Sequence, residues 1–174
     1  VDFGGGFERL LAVIKNEQDI FKTELFSPLI QELEKASGIE YKDDKPSMQV
    51  AVDHLKAATF LIAQGLEPSN KQQGYVLRRL VRRAAMKMRG LGIEDFSKTI
   101  NGITGQNSKI YSKSYSEMEN IKDITSILTA ETIRFEKTLN KGLREFNKLQ
   151  KINGKNAFDL FQTYGFPFEI TVEL

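Results

Sequence analysis

The stretch from Pro68 to Arg89 places the tightest constraint on the fold, because from Gly74 onward its apolar residues recur at the spacing of an α-helix. One side of the helical wheel carries Leu77, Leu80, Val81, Ala84, Ala85 and Met88. The opposite side carries the cationic residues Arg78, Arg79, Arg82, Arg83, Lys87 and Arg89. No acidic residue interrupts the stretch before Glu94. Such a helix needs a core against one face and offers the other face to a polyanionic partner.

Composition shows that this positive charge is a local feature. The chain has 174 residues, enough for one well-buried domain, and its 25 Lys and Arg residues nearly balance its 23 Asp and Glu residues. The wheel alone therefore leaves two interpretations open. The basic face is either a solvated helix surface or a nucleic-acid-binding surface.

Helical periodicity extends through most of the chain, and strand-like alternation is nearly missing, so the sequence predicts a mainly α fold. The first residues are expected to end a strand before a glycine turn. A central buried helix is predicted over 47–64, with Ser47 as its cap. A short helix is predicted over Glu94–Ile103, followed by an exposed connection. One long helix, or two on a common axis, is expected over 119–150, and Gly142 within it marks a close packing contact.

Several kinds of site are excluded by residue types. The chain has no cysteine, so it has no disulfide, and the lack of thiols fits a reducing compartment such as the cytoplasm. The one histidine, His54, is not enough to build a zinc site, so no metal site is expected. A Ser–His nucleophile arrangement is not expected either. No apolar run is long enough to cross a bilayer, so no membrane role is expected. The chain looks like part of a longer protein.

Four segments, in this order, resemble the alanyl-tRNA synthetase family. The first, VDFGGGFERLLAV, resembles the third signature motif of class II synthetases. The others are FKTELFSPLI, the continuous run VDHLKAATFLIAQGLEPSNKQQGYVLRRLVRRA, and FDLFQTYGFPFEIT. The ordered set covers nearly the whole chain apart from residues 90–118.

The resemblance implies two parts. Residues 1–18 would be the terminal strand–turn–helix of a class II catalytic domain, and residues 19–174 would be a bundle-like helical domain that recognises tRNA. In the signature motif, Arg9 would contact the ATP phosphates, since a guanidinium is always charged and meets phosphate oxygens in pairs. Gly4 and Gly6 would keep the adenine-side wall open. Phe3 and Gly5 stand where the family more often has Thr and Met.

The resemblance also assigns contacts to the tRNA acceptor stem, whose G·U pair identifies the tRNA in this family. Asn70 matches one reader of that pair. Gln162 stands where the other reader is usually Asp, and Phe161 where Tyr is usual, so weaker or altered discrimination is expected. The phosphate contacts would come from the basic helix, through Arg78, Arg79, Arg82, Arg83 and Lys87, although some of these arginines could instead pair with acidic residues on neighbouring helices.

The implied activity of the complete protein is the attachment of alanine to tRNA with ATP and Mg²⁺. This chain would bind the acceptor stem without catalysing the reaction by itself, and ATP and alanine would bind through a catalytic portion that it lacks. DNA is not an expected partner. Two other classes stay open: a stand-alone helical RNA-binding module, and a scaffold whose basic face docks an acidic protein.

Overall fold

The predicted helices form in the computed structural model, which describes residues 4–149, 151–164, 166, 171 and 172. Over these residues the chain contains no strand, in agreement with the mainly α prediction. The expected strand end at residues 1–3 lies outside the described part. The described α-helices are α1 (Phe7–Ile14), α2 (Ser27–Ser37), α3 (Lys45–Ala63), α4 (Gln72–Gly90), α5 (Phe96–Tyr111), α6 (Ile121–Phe146) and α7 (Gly154–Tyr164).

The chain forms two compact units, Val1–Glu131 and Thr132–Leu174. The first unit holds α1 to α5 and the start of α6, and the second holds the rest of α6 and α7. The division after residue 18, which the resemblance implies, stays a prediction.

The core of the first unit lies where α3 packs along α4. The predicted apolar face of α4 is confirmed for Leu77, Val81, Ala84, Ala85 and Met88, which are all buried. The sixth predicted residue, Leu80, is half-buried. From α3 the buried residues include Met48, Ala51, Val52, Leu55, Ala58 and Ile62. The alanines on both helices let the two backbones approach closely. Helix α2 packs on α5 and α3.

The start of α3 differs from the prediction by a few residues. The helix begins at Lys45, and its cap is Asp44, whose carboxylate accepts a hydrogen bond from the backbone N–H of Ser47 at 3.2 Å. Pro46 follows in the first turn, where its missing N–H leaves no intrahelical hydrogen bond unmade. Asp is as good an N-cap as Ser, so the sequence offered two capping sites and the upstream one is used.

Helix α5 corrects the prediction for residues 94–118. It runs from Phe96 to Tyr111, so the stretch expected to be an exposed connection is helical and partly buried. Its polar residues are used inside the core. Thr104 donates to the carbonyl of Ile100 at 2.8 Å, and Asn107 donates to the hydroxyl of Thr59 at 3.4 Å. Each of these side chains has at least one hydrogen-bond partner inside the unit, so polarity here did not mean exposure.

In the second unit, Gly142 makes the close contact that the sequence predicted. A side-chain carbon at this position of α6 would overlap the ring of Phe166, which is fully buried. The Phe166 ring also lies 6.1 Å from that of Phe146. Glycine is therefore needed in mid-helix because an aromatic ring packs directly on the backbone.

Replacing Gly142 with Ala should destabilise the protein by about 1–3 kcal/mol, because the overlap outweighs the better helix propensity of Ala. The matched control is Gly105→Ala in α5, where a new methyl group meets no atom within 4 Å. That variant should gain up to about 1 kcal/mol. Urea denaturation followed by circular dichroism measures both changes, and equal effects of the two substitutions would contradict the packing argument.

Candidate nucleic-acid interface

The cationic side of α4 divides into two classes of residue. Arg79, Arg83 and Arg89 are exposed, whereas Arg78, Arg82 and Lys87 are partly buried. All six lie away from the buried apolar stripe, as the wheel predicted. A guanidinium group on an exposed residue is suited to contacts with phosphate oxygens.

The partly buried arginines pair with an acid from another helix. Glu131 on α6 has a side chain only 2% exposed, and its Oε1 lies 3.2 Å from Arg78 Nε and 2.9 Å from Arg82 Nε. The expectation that some arginines pair with acidic neighbours is confirmed for these two. They are part of the fold of the first unit as well as of its surface charge.

The turn before α4 is held against the first turn of the helix. The backbone N–H of Ser69 donates to the carbonyl of Gly74 at 3.0 Å. A side-chain carbon on Gly74 would overlap Ser69 Oγ and stand 2.6 Å from the carbonyl oxygen of Glu67. Asn70 is exposed at this turn, and its Oδ1 accepts a hydrogen bond from Arg78 Nη1. The structure thus brings Asn70 and Arg78 together at one end of the basic helix.

The glycine turn and α1 form a second region of the first unit. Gly4, Gly6 and Arg9 are all exposed. A cavity of about 330 Å³ opens between the start of α1 and α3, and its polar lining includes Glu8, Arg9, Asp53 and Lys56. The predicted phosphate contact therefore borders a cavity with a second cation, which the sequence reasoning missed.

Lys56 connects α1 to α3. Its Nζ donates to Glu8 Oε1 at 2.8 Å and lies 4.2 Å from the ring centre of Phe26 and 5.1 Å from that of Tyr111. The hydrogen bond from Lys56 lowers the pKa of Glu8, and burial raises the pKa of Tyr111. Because the pKa of Glu8 is lowered in the folded state, its interaction with Lys56 stabilises the fold at pH values above the ordinary carboxyl pKa. This stabilisation is lost as the pH falls through the folded-state pKa of Glu8.

One face of α1 is apolar and exposed. Phe7, Leu10, Val13 and Ile14 have between 60% and 77% of their surface open to solvent. Apolar patches of this kind mark surfaces that contact other protein segments.

Gln162 lies on α7 in the second unit and is exposed, as is its neighbour Phe161. Its amide is accessible to a partner. Asn70 and Gln162 thus belong to different units.

Sequence reasoning did not single out Glu131, although a signal was present. Ile124, Leu128 and Phe135 are buried on one stripe of α6, and Glu131 falls in that stripe at helical spacing. A charged residue in an apolar stripe requires a buried partner.

The described residues contain no group of three or more His, Asp or Glu side chains arranged to hold a metal ion. None of the helices within the described ranges has the length and apolar character needed to cross a membrane. His54 lies with its Nδ1 3.3 Å from Asp53 Oδ2. Its role in the structure is a polar contact on the surface of α3.

A family model described as "tRNA synthetases class II (A)" matches residues 1–174, the whole chain. The chain belongs to this family of class II tRNA synthetases. It is 36% identical over 183 residues to an alanine–tRNA ligase of Thermotoga petrophila, covering 100% of this chain and 21% of that protein. It is 40% identical over 188 residues to an alanine–tRNA ligase of Lactiplantibacillus plantarum, covering 99% of this chain and 21% of that protein.

A third relative, an alanine–tRNA ligase of Borrelia hermsii, is 38% identical over 186 residues and is covered over 31% of its length. The resemblance to the alanyl-tRNA synthetases is confirmed by these matches. The chain spans about a fifth of the length of the first two relatives.

Replacing Gly74 with Ala should push the 66–71 turn away from α4, at a cost of about 1–3 kcal/mol, because a methyl group has no room beside Ser69 and Glu67. Gly90→Ala at the other end of α4 is the control, since its methyl group meets nothing within 4 Å. Thermal unfolding of the 174-residue chain measures the difference. A Gly74→Ala chain as stable as the control would show that the turn does not rest on this glycine.

Proposed function

We propose that the chain is part of an alanine–tRNA ligase and that α4, with the 66–71 turn, binds the acceptor stem of the tRNA. The observation that carries the proposal is the pairing of an exposed amide, Asn70, with a helix face whose exposed charges are all positive. Membership of the class II synthetase family favours RNA over an acidic protein as the partner of this face.

The arginines would have two different roles, depending on how far each is buried. Arg79 and Arg83 are exposed and would contact phosphates, which sets the register of the RNA without reading its sequence. Arg78 and Arg82 are held by Glu131 and would contribute positive potential along with their structural role. Lys87, one helical turn beyond Arg83, would make a further phosphate contact.

The complete protein would activate alanine with ATP and transfer it to tRNA in the cytoplasm. In this chain, Arg9 fits a contact to the ATP phosphates because it is exposed at the first turn of α1 and borders a cavity. The glycines Gly4 and Gly6 would leave room beside it for the nucleotide. Mg²⁺ would be bound together with ATP in the complete enzyme.

The exposed apolar face of α1 supports the proposed role of residues 1–18 as the end of a catalytic domain. A helix that exposes Phe7, Leu10 and Ile14 has a face suited to packing against further protein. The Lys56–Glu8 ion pair would hold that helix to α3, which packs on the proposed RNA-binding helix α4.

Gln162 would accept a hydrogen bond from the guanine amino group of the acceptor-stem G·U pair, which lies in the minor groove. A neutral amide oxygen forms a weaker bond with this group than a carboxylate does. The identity of residue 162 would therefore set the strength of discrimination by this chain.

The phosphate role predicts the behaviour of Arg79→Gln and Arg83→Gln. Each should weaken binding to G·U and G·C acceptor-stem hairpins by a similar factor and lower the slope of log K against log salt by about 1. Titrations of the 174-residue chain at several salt concentrations measure both quantities. Lys42→Gln, which removes one charge in the loop between α2 and α3, is the control and should leave the slope unchanged.

A loss confined to the G·U hairpin would contradict a phosphate role for these arginines. Absence of RNA binding by the wild-type chain would favour the scaffold with an acidic protein partner.

The Gln162→Asp substitution should improve discrimination in the complete ligase. The gain expected for a charged acceptor is about 1 kcal/mol, or roughly a fivefold higher preference for G·U over G·C acceptor stems. Alanylation rates of the two substrates measure it. Gln162→Asn is the matched control, because it shortens the side chain as Asp does while keeping it neutral. Equal preference of the Asp and Asn variants would overturn the role of charge at this position.

A further inference from the structure

We propose that Glu131 is a positioning residue for RNA recognition: its buried carboxylate holds Arg78, and Arg78 fixes the direction of the Asn70 amide. The inference rests on the proposed function, because it concerns the same surface. It assigns a role to an acid that does not itself reach solvent.

The surroundings of Glu131 argue that its charge serves more than packing. The carboxylate sits in the apolar stripe of α6, where Leu128 and Phe135 are fully buried. Its Oε1 faces two guanidinium groups, while its Oε2 is buried and accepts no hydrogen bond from the described residues. An apolar residue at such a place is often as favourable for stability as a buried ion pair. The placement of this charge therefore favours a role in positioning the arginines.

Arg78 extends this constraint to the turn. Its Nε faces Glu131, its Nη1 donates to Asn70 Oδ1, and its Nη2 donates to the carbonyl of Pro68 at 3.5 Å. Arg78 Nε is buried and forms no hydrogen bond within the described part of the chain, so Glu131 holds it by the ion pair at 3.2 Å, while the two terminal nitrogens make the hydrogen bonds. A planar guanidinium with contacts at both ends cannot rotate without losing one of them. The position of Asn70 is thus connected through one side chain to a buried charge on another helix.

The chemistry of Arg78 also decides which atom Asn70 presents. A guanidinium has only donors, so the amide group facing it must be the oxygen. The Nδ2 amide is then directed away from Arg78 and is available to a partner. Asn70 would accordingly act as a donor, and its target would be an acceptor on a base edge, such as a carbonyl oxygen or a ring nitrogen.

The first test is Glu131→Gln in the 174-residue chain, which keeps the shape of the side chain and removes its charge. We expect the preference for G·U over G·C hairpins to fall by about fivefold or more, the lower end of what a base contact contributes. Affinity for the G·C hairpin should change less than twofold. Glu117→Gln, at an exposed glutamate, is the control and should change neither.

A merely structural role would weaken binding to both hairpins together and leave their ratio unchanged, and that result would overturn the proposal. If Glu131→Gln does not fold, Arg78→Lys gives the same information. Lysine keeps the charge, but a single ammonium cannot span Glu131 and Asn70. It should lose the preference while keeping affinity for the G·C hairpin, and retention of the preference would count against the inference.

The second test is Asn70→Asp. Aspartate keeps an oxygen for Arg78 and replaces the outward amide by an acceptor, so the preference should disappear. A variant that still prefers the G·U hairpin would show that an oxygen is the reading atom. Absence of binding to either hairpin by the wild-type chain would overturn the proposed function together with this inference, whereas binding without any hairpin preference would overturn the inference alone. A wild-type preference that survives in Glu131→Gln would overturn the inference alone.

Discussion

The packing of α4 on α3 is the interaction on which the rest of the first unit depends. Small buried residues, including Ala84 and Ala85 on α4 and Ala51 and Ala58 on α3, let the two helices lie close together along their length. Once this face is buried, the rotation of α4 about its axis is fixed. Every cationic side chain of the helix is then directed to the same side, and the surface charge follows from the core.

A uniform row of arginines would be free to spread in solvent, and each would lose side-chain entropy on binding a phosphate. The arginines of α4 differ in their burial and in the contacts they make. Two arginines are held by one buried carboxylate, while Arg79 and Arg83 remain exposed. One of these two arginines, Arg78, also contacts Asn70, where a base edge would be read.

Local patterns in the sequence were enough to predict the mainly α fold, the buried face of α4, the long α6 and the close contact at Gly142. Each depends on residues near one another in the chain or on a single side-chain volume. The predicted length of α5 was wrong because Gly102, Gly105 and the polar residues after them are typical of loops. The contact that buries Asn107, with Thr59 on α3, joins residues far apart in sequence. The role of Glu131 was missed for a related reason, since its partners Arg78 and Arg82 lie far away in sequence. Family membership suggested the site residues, and only the fold showed which of them are joined.

Helix α3 links α1 to α4 within the first unit. Its 19 residues form a helix about 28 Å long. This helix carries Lys56 and also packs on α4. Because Lys56 is 8% exposed and sits among Phe26, Tyr111 and Glu8, a displacement of α1 cannot be absorbed by a flexible side chain in solvent. It would have to move α3 or break this partly buried ion pair. The Lys56–Glu8 pair therefore couples the position of the glycine turn and Arg9 to the helix that packs on α4.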